Sequence, residues 1–238
     1  MTIVTAYFKI PSKASHEFYM THAARLLRTV RATIVFCTTP DLREDFQRIR
    51  GTLPIHFIIY DSVRDIEAFN NFDPKFWEGQ KLMDHNPSRS PELYAIWYNK
   101  KEFVKRAMEV AGGPYIWCDV GCARTDAWLP WLGTFGNNTK VPSGRLMLQL
   151  LNPLPHSGYI REGFVGVAGA IIAGDKDAWI QASAHYDIMM KEYAAERIPV
   201  CDDQHIWGSC AIRWPIDFIL KFPEPSPCEW FFFLKMLS

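Results

Sequence analysis

Residues 3–60 contain three short runs, Ile3-Val4-Thr5-Ala6-Tyr7-Phe8, Ala32-Thr33-Ile34-Val35-Phe36-Cys37 and Ile55-His56-Phe57-Ile58-Ile59-Tyr60. Each is almost continuously apolar and rich in β-branched and aromatic side chains, as a strand must be when both faces of its sheet are covered. The segments between them read as helices. Residues 15–30 place Phe18, His22, Leu26 and Val30 four apart, and the charged stretch 40–50 follows Thr39-Pro40-Asp41, a helix start. Strand, helix, strand, helix, strand predicts a parallel α/β sheet.

Outward from that core the pattern changes. Residues 61–92, with Pro74, Pro87, Pro91 and Phe76-Trp77, predict a long irregular connection, and such connections often carry function. Residues 92–111 predict a helix with Leu93, Trp97, Val104, Ala107 and Ala111 on one face. Lys101, Lys105 and Glu109 fall on the other face, and Lys100 falls on the apolar side. Gly112-Gly113-Pro114 ends that helix, and Tyr115-Ile116-Trp117-Cys118 predicts a fourth strand. Further strands are expected at 145–151, 164–173 and 216–219. Further helices are expected at 123–134, 175–195 and 203–212. Trp230-Phe231-Phe232-Phe233-Leu234 reads as a C-terminal segment docked on the core.

Length and composition bound the rest. A chain of 238 residues that is 48% hydrophobic buries roughly 70–75% of its unfolded surface in one core, so a single domain over 1–238 is expected. Basic and acidic residues balance at 26 each, which gives no basic face for nucleic acid and no acidic tail. Nine Trp serve either as core or as flat faces for sugars. No run approaches the ~18 apolar residues of a membrane span. The start of the sequence has no basic region followed by an apolar stretch, so no secretion signal is expected. Of the six cysteines, Cys118 and Cys122 are spaced for a metal, but no second pair completes a zinc site. They read as reduced thiols of an intracellular, cytoplasmic protein (the host cytoplasm, for a viral chain).

Four constellations can carry chemistry. Asp119, at the carboxyl end of the 115–118 strand, sits where α/β sheets bind ligands. Its carboxylate can hold a cation or a ribose hydroxyl, and Gly121 lets a ligand approach the backbone; Asp119 can equally cap a following helix. Cys201-Asp202-Asp203-Gln204-His205 precedes a helix, so one carboxylate can cap it while the other assists proton transfer or stabilises developing positive charge. The glycines of Gly166-Val167-Ala168-Gly169-Ala170 fit a strand passing close to a ligand, but match no dinucleotide or phosphate-loop fingerprint. Lys100, on an apolar helix face, must snorkel to an edge or meet an anion.

Taken in order along nearly the whole chain, these pieces resemble the HtrL/YibB family of glycosyltransferases found in bacteria and large DNA viruses. The resemblance rests on Val4-Thr5-Ala6-Tyr7-Phe8, Phe76-Trp77 with Gln80 and Asp84, and Ser90-Pro91-Glu92-Leu93-Tyr94 with Ile96, Trp97 and Lys100. It continues through Trp117-Cys118-Asp119-Val120-Gly121 with Arg124, Ala168-Gly169, Gly174, Asp203-Gln204 and Trp230-Phe231-Phe232. It implies a GT-A-like single domain with a Rossmann-like mixed sheet flanked by helices. Residues 1–121 would form the nucleotide-sugar half and residues 122–238 the acceptor half. Thr5, Ala6, Tyr7, Lys100, Asp119 and Gly121 are then expected at the donor, and Trp97, Ala168, Gly169 and Gln204 at the acceptor or sugar. Asp203, supported by Asp202, is expected in catalysis. Where such enzymes carry Asp-x-Asp for metal and diphosphate, this chain has Gly121 in the second place. Mn²⁺ or Mg²⁺ would therefore rest on Asp119, with His205 or Asp126 as a further ligand.

The function expected is transfer of a sugar from a nucleotide-diphosphate sugar to a carbohydrate or glycoconjugate acceptor. The broken Asp-x-Asp favours a second reading, a nucleotide-sugar or carbohydrate-binding protein without turnover. A third, a hydrolase using Cys201 and His205, has helical spacing but no oxyanion signature.

Overall fold

The computed structural model describes residues 1–238 except 13, 138, 139, 157, 162 and 201. Seven strands form one mixed sheet: β1 (Thr2–Ala6), β2 (Thr33–Thr38), β3 (Ile55–Ile59), β4 (Tyr115–Cys118), β5 (Leu146–Leu150), β6 (Val167–Gly174) and β7 (Phe218–Lys221). Their order is β3-β2-β1-β4-β6-β5-β7. Neighbours pair parallel except at β6, which is antiparallel to both β4 and β5.

The first three apolar runs are therefore β1 to β3, joined through α1 (His16–Thr29) and α2 (Pro40–Arg50). Ser15 caps α1 by accepting from the Phe18 amide at 3.2 Å, and Pro40 stands at the first turn of α2, where a missing N–H costs nothing. Successive residues of β1 serve opposite faces. Ile3 joins a cluster with α1, α2 and Phe231 to Leu234, whereas Val4 joins one with α5 (Pro91–Val110), α7 (Lys176–Ala195) and α8 (Asp203–Arg213). Phe46 of α2 and Phe36 of β2, both fully buried, lie 4.2 Å apart. Each such burial is worth about 1.5–3 kcal/mol.

Three expectations need correction. The 61–92 connection is not irregular throughout, since it holds α3 (Glu67–Asn71) and α4 (Pro74–Met83). Asp73 caps α4 through the Lys75 amide at 2.8 Å, and the helix buries only Trp77 and Gln80, too few positions to print a periodicity. The 123–134 helix is a single 3₁₀ turn, Asp126–Trp128, followed by α6 (Leu129–Leu132), because Pro130 limits what can precede it. Lys101 is not on a solvated face but fully buried against α7, as described below. The C-terminal aromatic segment docks as expected, through α9 (Phe233–Met236), with Phe231 to Leu234 buried. No helix among the described residues is long and apolar enough to cross a membrane.

After β3 the chain crosses back through α3, α4 and α5 to place β4 on the other side of β1. This reversal opens a crevice at the carboxyl ends of β1 and β4, the position where doubly wound sheets bind ligands.

Candidate active site

A cleft of about 400 Å³ occupies that crevice. Its walls come from Ala6, Tyr7 and Phe8 after β1, Phe18 and Tyr19 of α1, and Trp97 and Lys100 of α5. Asp119, Gly121 and Arg124 follow β4, and Phe231 comes from the C-terminal segment. Tyr7 is held by a 2.8 Å hydrogen bond between its hydroxyl and His16 Nδ1. Burial first, then Tyr19 and Glu17, push its phenol up to about 12.

Below the cleft lies a buried ion cluster. Ser90 and Pro91 start α5, the serine accepting from the Leu93 amide at 3.3 Å. Three turns on, the helix delivers Lys100 to the sheet. Its Nζ stands 3.0 Å from Asp119 Oδ1 and 2.8 Å from Asp203 Oδ2. It also donates to the Gly169 carbonyl at 2.9 Å and lies 5.6 Å from the centre of the Trp117 ring. Its side chain is 3% exposed, Asp203's is 4% and Asp119's is 38%. Burial opposes the ammonium charge, but Asp119 and Asp203 together outweigh it and hold Lys100 above its usual range. Burial pushes the Asp203 carboxyl up to about 6; Lys100 pulls against that shift, while Asp119 and Asp202 add to it.

Asp119 is fixed on one side only. Trp117 and Asp119 are two residues apart, so an extended chain puts both side chains on one face, and Trp117 Nε1 donates to Asp119 Oδ1 at 2.8 Å. The Asp119 amide donates to the Ala170 carbonyl at 2.8 Å. Oδ1 is thus engaged by Lys100 and Trp117, and the half-exposed carboxylate turns its other oxygen to the cleft.

Gly169 is required for the cluster, because a Cβ there would collide with the Asp203 carboxylate. Asp202 is the cap of α8, accepting from the Gln204 and His205 amides at 3.1 and 3.3 Å.

The structure thus brings Ala6, Tyr7, Trp97, Lys100, Asp119 and Gly121 to the cleft. Thr5 is buried within β1 and Ala168 within β6, and Gln204 and His205 do not line the cleft. Asp203 belongs to the cluster but lies under the floor rather than in the wall, because α8 packs it behind Gly169. Lys100 does meet an anion, and it is supplied by the protein itself, as the two carboxylates of Asp119 and Asp203. Cys201 lies outside the described residues, and buried His205 turns Nε2 toward Asp202 at 3.9 Å. Sequence reasoning missed Phe18, Tyr19 and the bond from Trp117; only the last had a signal, the i, i+2 spacing.

A divalent cation does not fit this arrangement well. Among the described residues no group of three or more His, Cys, Asp or Glu could hold a metal. Asp126 is turned away to Arg25 at 2.6 Å, and the Lys100 ammonium already occupies the gap between Asp119 and Asp203.

The sheet order, with one antiparallel strand and the crevice beside β4, is that of a single α/β domain of the GT-A-like class. Among solved structures, the chain is similar to mouse xyloside xylosyltransferase 1 in its apo form, with a TM-score of 0.52 and 12% identity over 92% of this chain and 83% of that one. It is also similar to the PaToxG glycosyltransferase, with a TM-score of 0.42 and 10% identity over 89% of this chain and 67% of that one. At 12% identity the likeness to the xylosyltransferase is one of fold. No family model and no curated protein matches the sequence.

Proposed function

We propose that this protein is a glycosyltransferase that moves a hexosyl or pentosyl group from a nucleotide-diphosphate sugar to a carbohydrate or glycoconjugate acceptor. The observation that carries this reading is the Asp119–Lys100–Asp203 cluster under an aromatic cleft at the carboxyl ends of β1 and β4. Residues 1–121 supply the nucleotide side, and residues 122–238 complete the acceptor side. The ordered motifs from Val4 to Phe232 support membership of the HtrL/YibB family.

The chemistry follows from the charges. The bond between the anomeric carbon and the diphosphate oxygen breaks, and its electron pair leaves on the diphosphate. Positive charge develops at the anomeric carbon. One ammonium between two carboxylates leaves a net negative cluster beneath it, fixed in advance and largely shielded from water, where preorganised charge acts most strongly. The acceptor oxygen bonds the anomeric carbon, and the free oxygen of Asp119 takes its proton. Asp203 acts through Lys100 as a positioning residue and as the second negative charge. Trp97, Tyr7 and Tyr19 offer flat faces to the sugar and base.

The test is incubation with a panel of nucleotide-diphosphate sugars and pooled glycan acceptors, followed by mass spectrometry of the acceptors. A mass increase of one sugar residue is expected. Nucleotide-sugar binding by calorimetry without any transfer would instead leave a binding protein.

A further inference from the structure

Arg124 is exposed, lines the cleft, and has no carboxylate partner among the described residues. Its backbone is pinned, since its amide donates to the Cys122 carbonyl at 2.9 Å. Its own carbonyl accepts from Arg25, which in turn holds Asp126. Its guanidinium lies over the ring of buried Phe231, 4.8 Å from the centroid. Stacking of this kind leaves the planar fork of donors free for an anion. Among the described residues, Lys100 is the other cation of the cleft wall, and it is already paired with two carboxylates.

Resting on the glycosyl-transfer reading, we propose that the leaving nucleoside diphosphate is neutralised by Arg124, with Lys100 holding the place between Asp119 and Asp203, and without a divalent metal. The electron pair released on the diphosphate when the anomeric bond breaks meets the Arg124 guanidinium, which donates two N–H bonds to phosphate oxygens. A metal bound to the free oxygen of Asp119 would share that carboxylate with an ammonium and gain no second protein carboxylate, because position 121 is glycine. Arg124 also gives the C-terminal aromatic segment a role: Phe231 is the platform that orients the anion-binding side chain.

The experiment is calorimetry on the full chain with UDP, GDP and ADP, first in excess chelator and then with saturating Mn²⁺. At least one nucleoside diphosphate is expected to bind in chelator with an affinity that Mn²⁺ does not improve. Arg124→Gln should weaken that binding about 10–100-fold, the size of a charge-assisted hydrogen bond, and Arg124→Lys should recover part of it. The side chain is exposed, so an unchanged melting temperature will certify the fold. Binding that appears only with Mn²⁺ overturns this proposal and leaves the glycosyl-transfer reading standing. Unchanged affinity in Arg124→Gln removes Arg124 from the diphosphate. Failure of every nucleotide to bind under both conditions overturns the glycosyl-transfer reading itself.

Discussion

Lys100 and Lys101 are neighbours on α5, both buried, and they anchor two differently built clusters. Lys101 faces α7, where it pairs with Asp187 at 2.8 Å and with Glu102, and lies 4.1 Å from the centre of the Tyr98 ring. Lys105 joins Glu102 at 3.0 Å, so two ammonium groups meet two carboxylates. Burial raises Glu102, but Lys101 and Lys105 outweigh it and hold the carboxyl below its usual range. The Lys100 cluster has one ammonium for two carboxylates, and there burial wins at Asp203. The balanced cluster joins two helices. The unbalanced one sits at the crevice with negative charge in reserve, an arrangement that costs stability and that clusters at functional sites.

If that contrast is right, Asp119→Asn has the largest effect, a fall in turnover of about 10²–10⁴-fold from lost proton acceptance. A variant that turns over normally would erase the distinction between the clusters. Asp203→Asn should cost about 10²–10³-fold, as for loss of one preorganised electrostatic contact, with nucleotide affinity unchanged by calorimetry. Lys101→Met breaks a buried pair and should lower unfolding free energy by about 3–5 kcal/mol in urea, while nucleotide affinity of the folded protein is kept.

pH separates the clusters further. Asp203 must be ionised to supply the second negative charge, so turnover should climb as pH rises through about 6. The stability consequence has the opposite sign. A carboxyl raised in the folded state favours folding fully below its unfolded pKa of about 4, and that contribution is lost as pH rises through the folded value of about 6. Asp203→Asn lacks this titration, so its stability relative to the parent should improve between those limits in denaturant titrations. The smallest effect belongs to Asp202→Ala, about 1 kcal/mol of stability for a lost helix cap, with turnover retained.

Much of the architecture was legible. β1, β2 and β4 announced themselves as apolar runs because both their faces are covered, whereas β3, equally apolar in sequence, is a half-exposed edge strand. The helix α5 was legible from Leu93, Trp97, Val104 and Ala107 on one face, and α8 from a capping carboxylate before it, which is Asp202. The helix α3 was hidden by its five residues, and α4 because it buries only Trp77 and Gln80. Lys101 was misplaced because a helical projection assigns charge to solvent, whereas Asp187, 86 positions downstream, turns that face inward. At the site, Asp119 and Lys100 were readable from strand end and helix face. Their bond, and the burial of Asp203 behind Gly169, depends on how β6 and α8 close over α5, which no local spacing encodes.

The most direct test compares the two lysines side by side. Nucleoside diphosphate release from nucleotide sugars, expressed per folded molecule, is measured for the parent, Lys100→Met and Lys101→Met. The account predicts a loss of about 10²–10³-fold in Lys100→Met and the parental rate in Lys101→Met. Equal rates in the two variants, whether both lost or both kept, would contradict it.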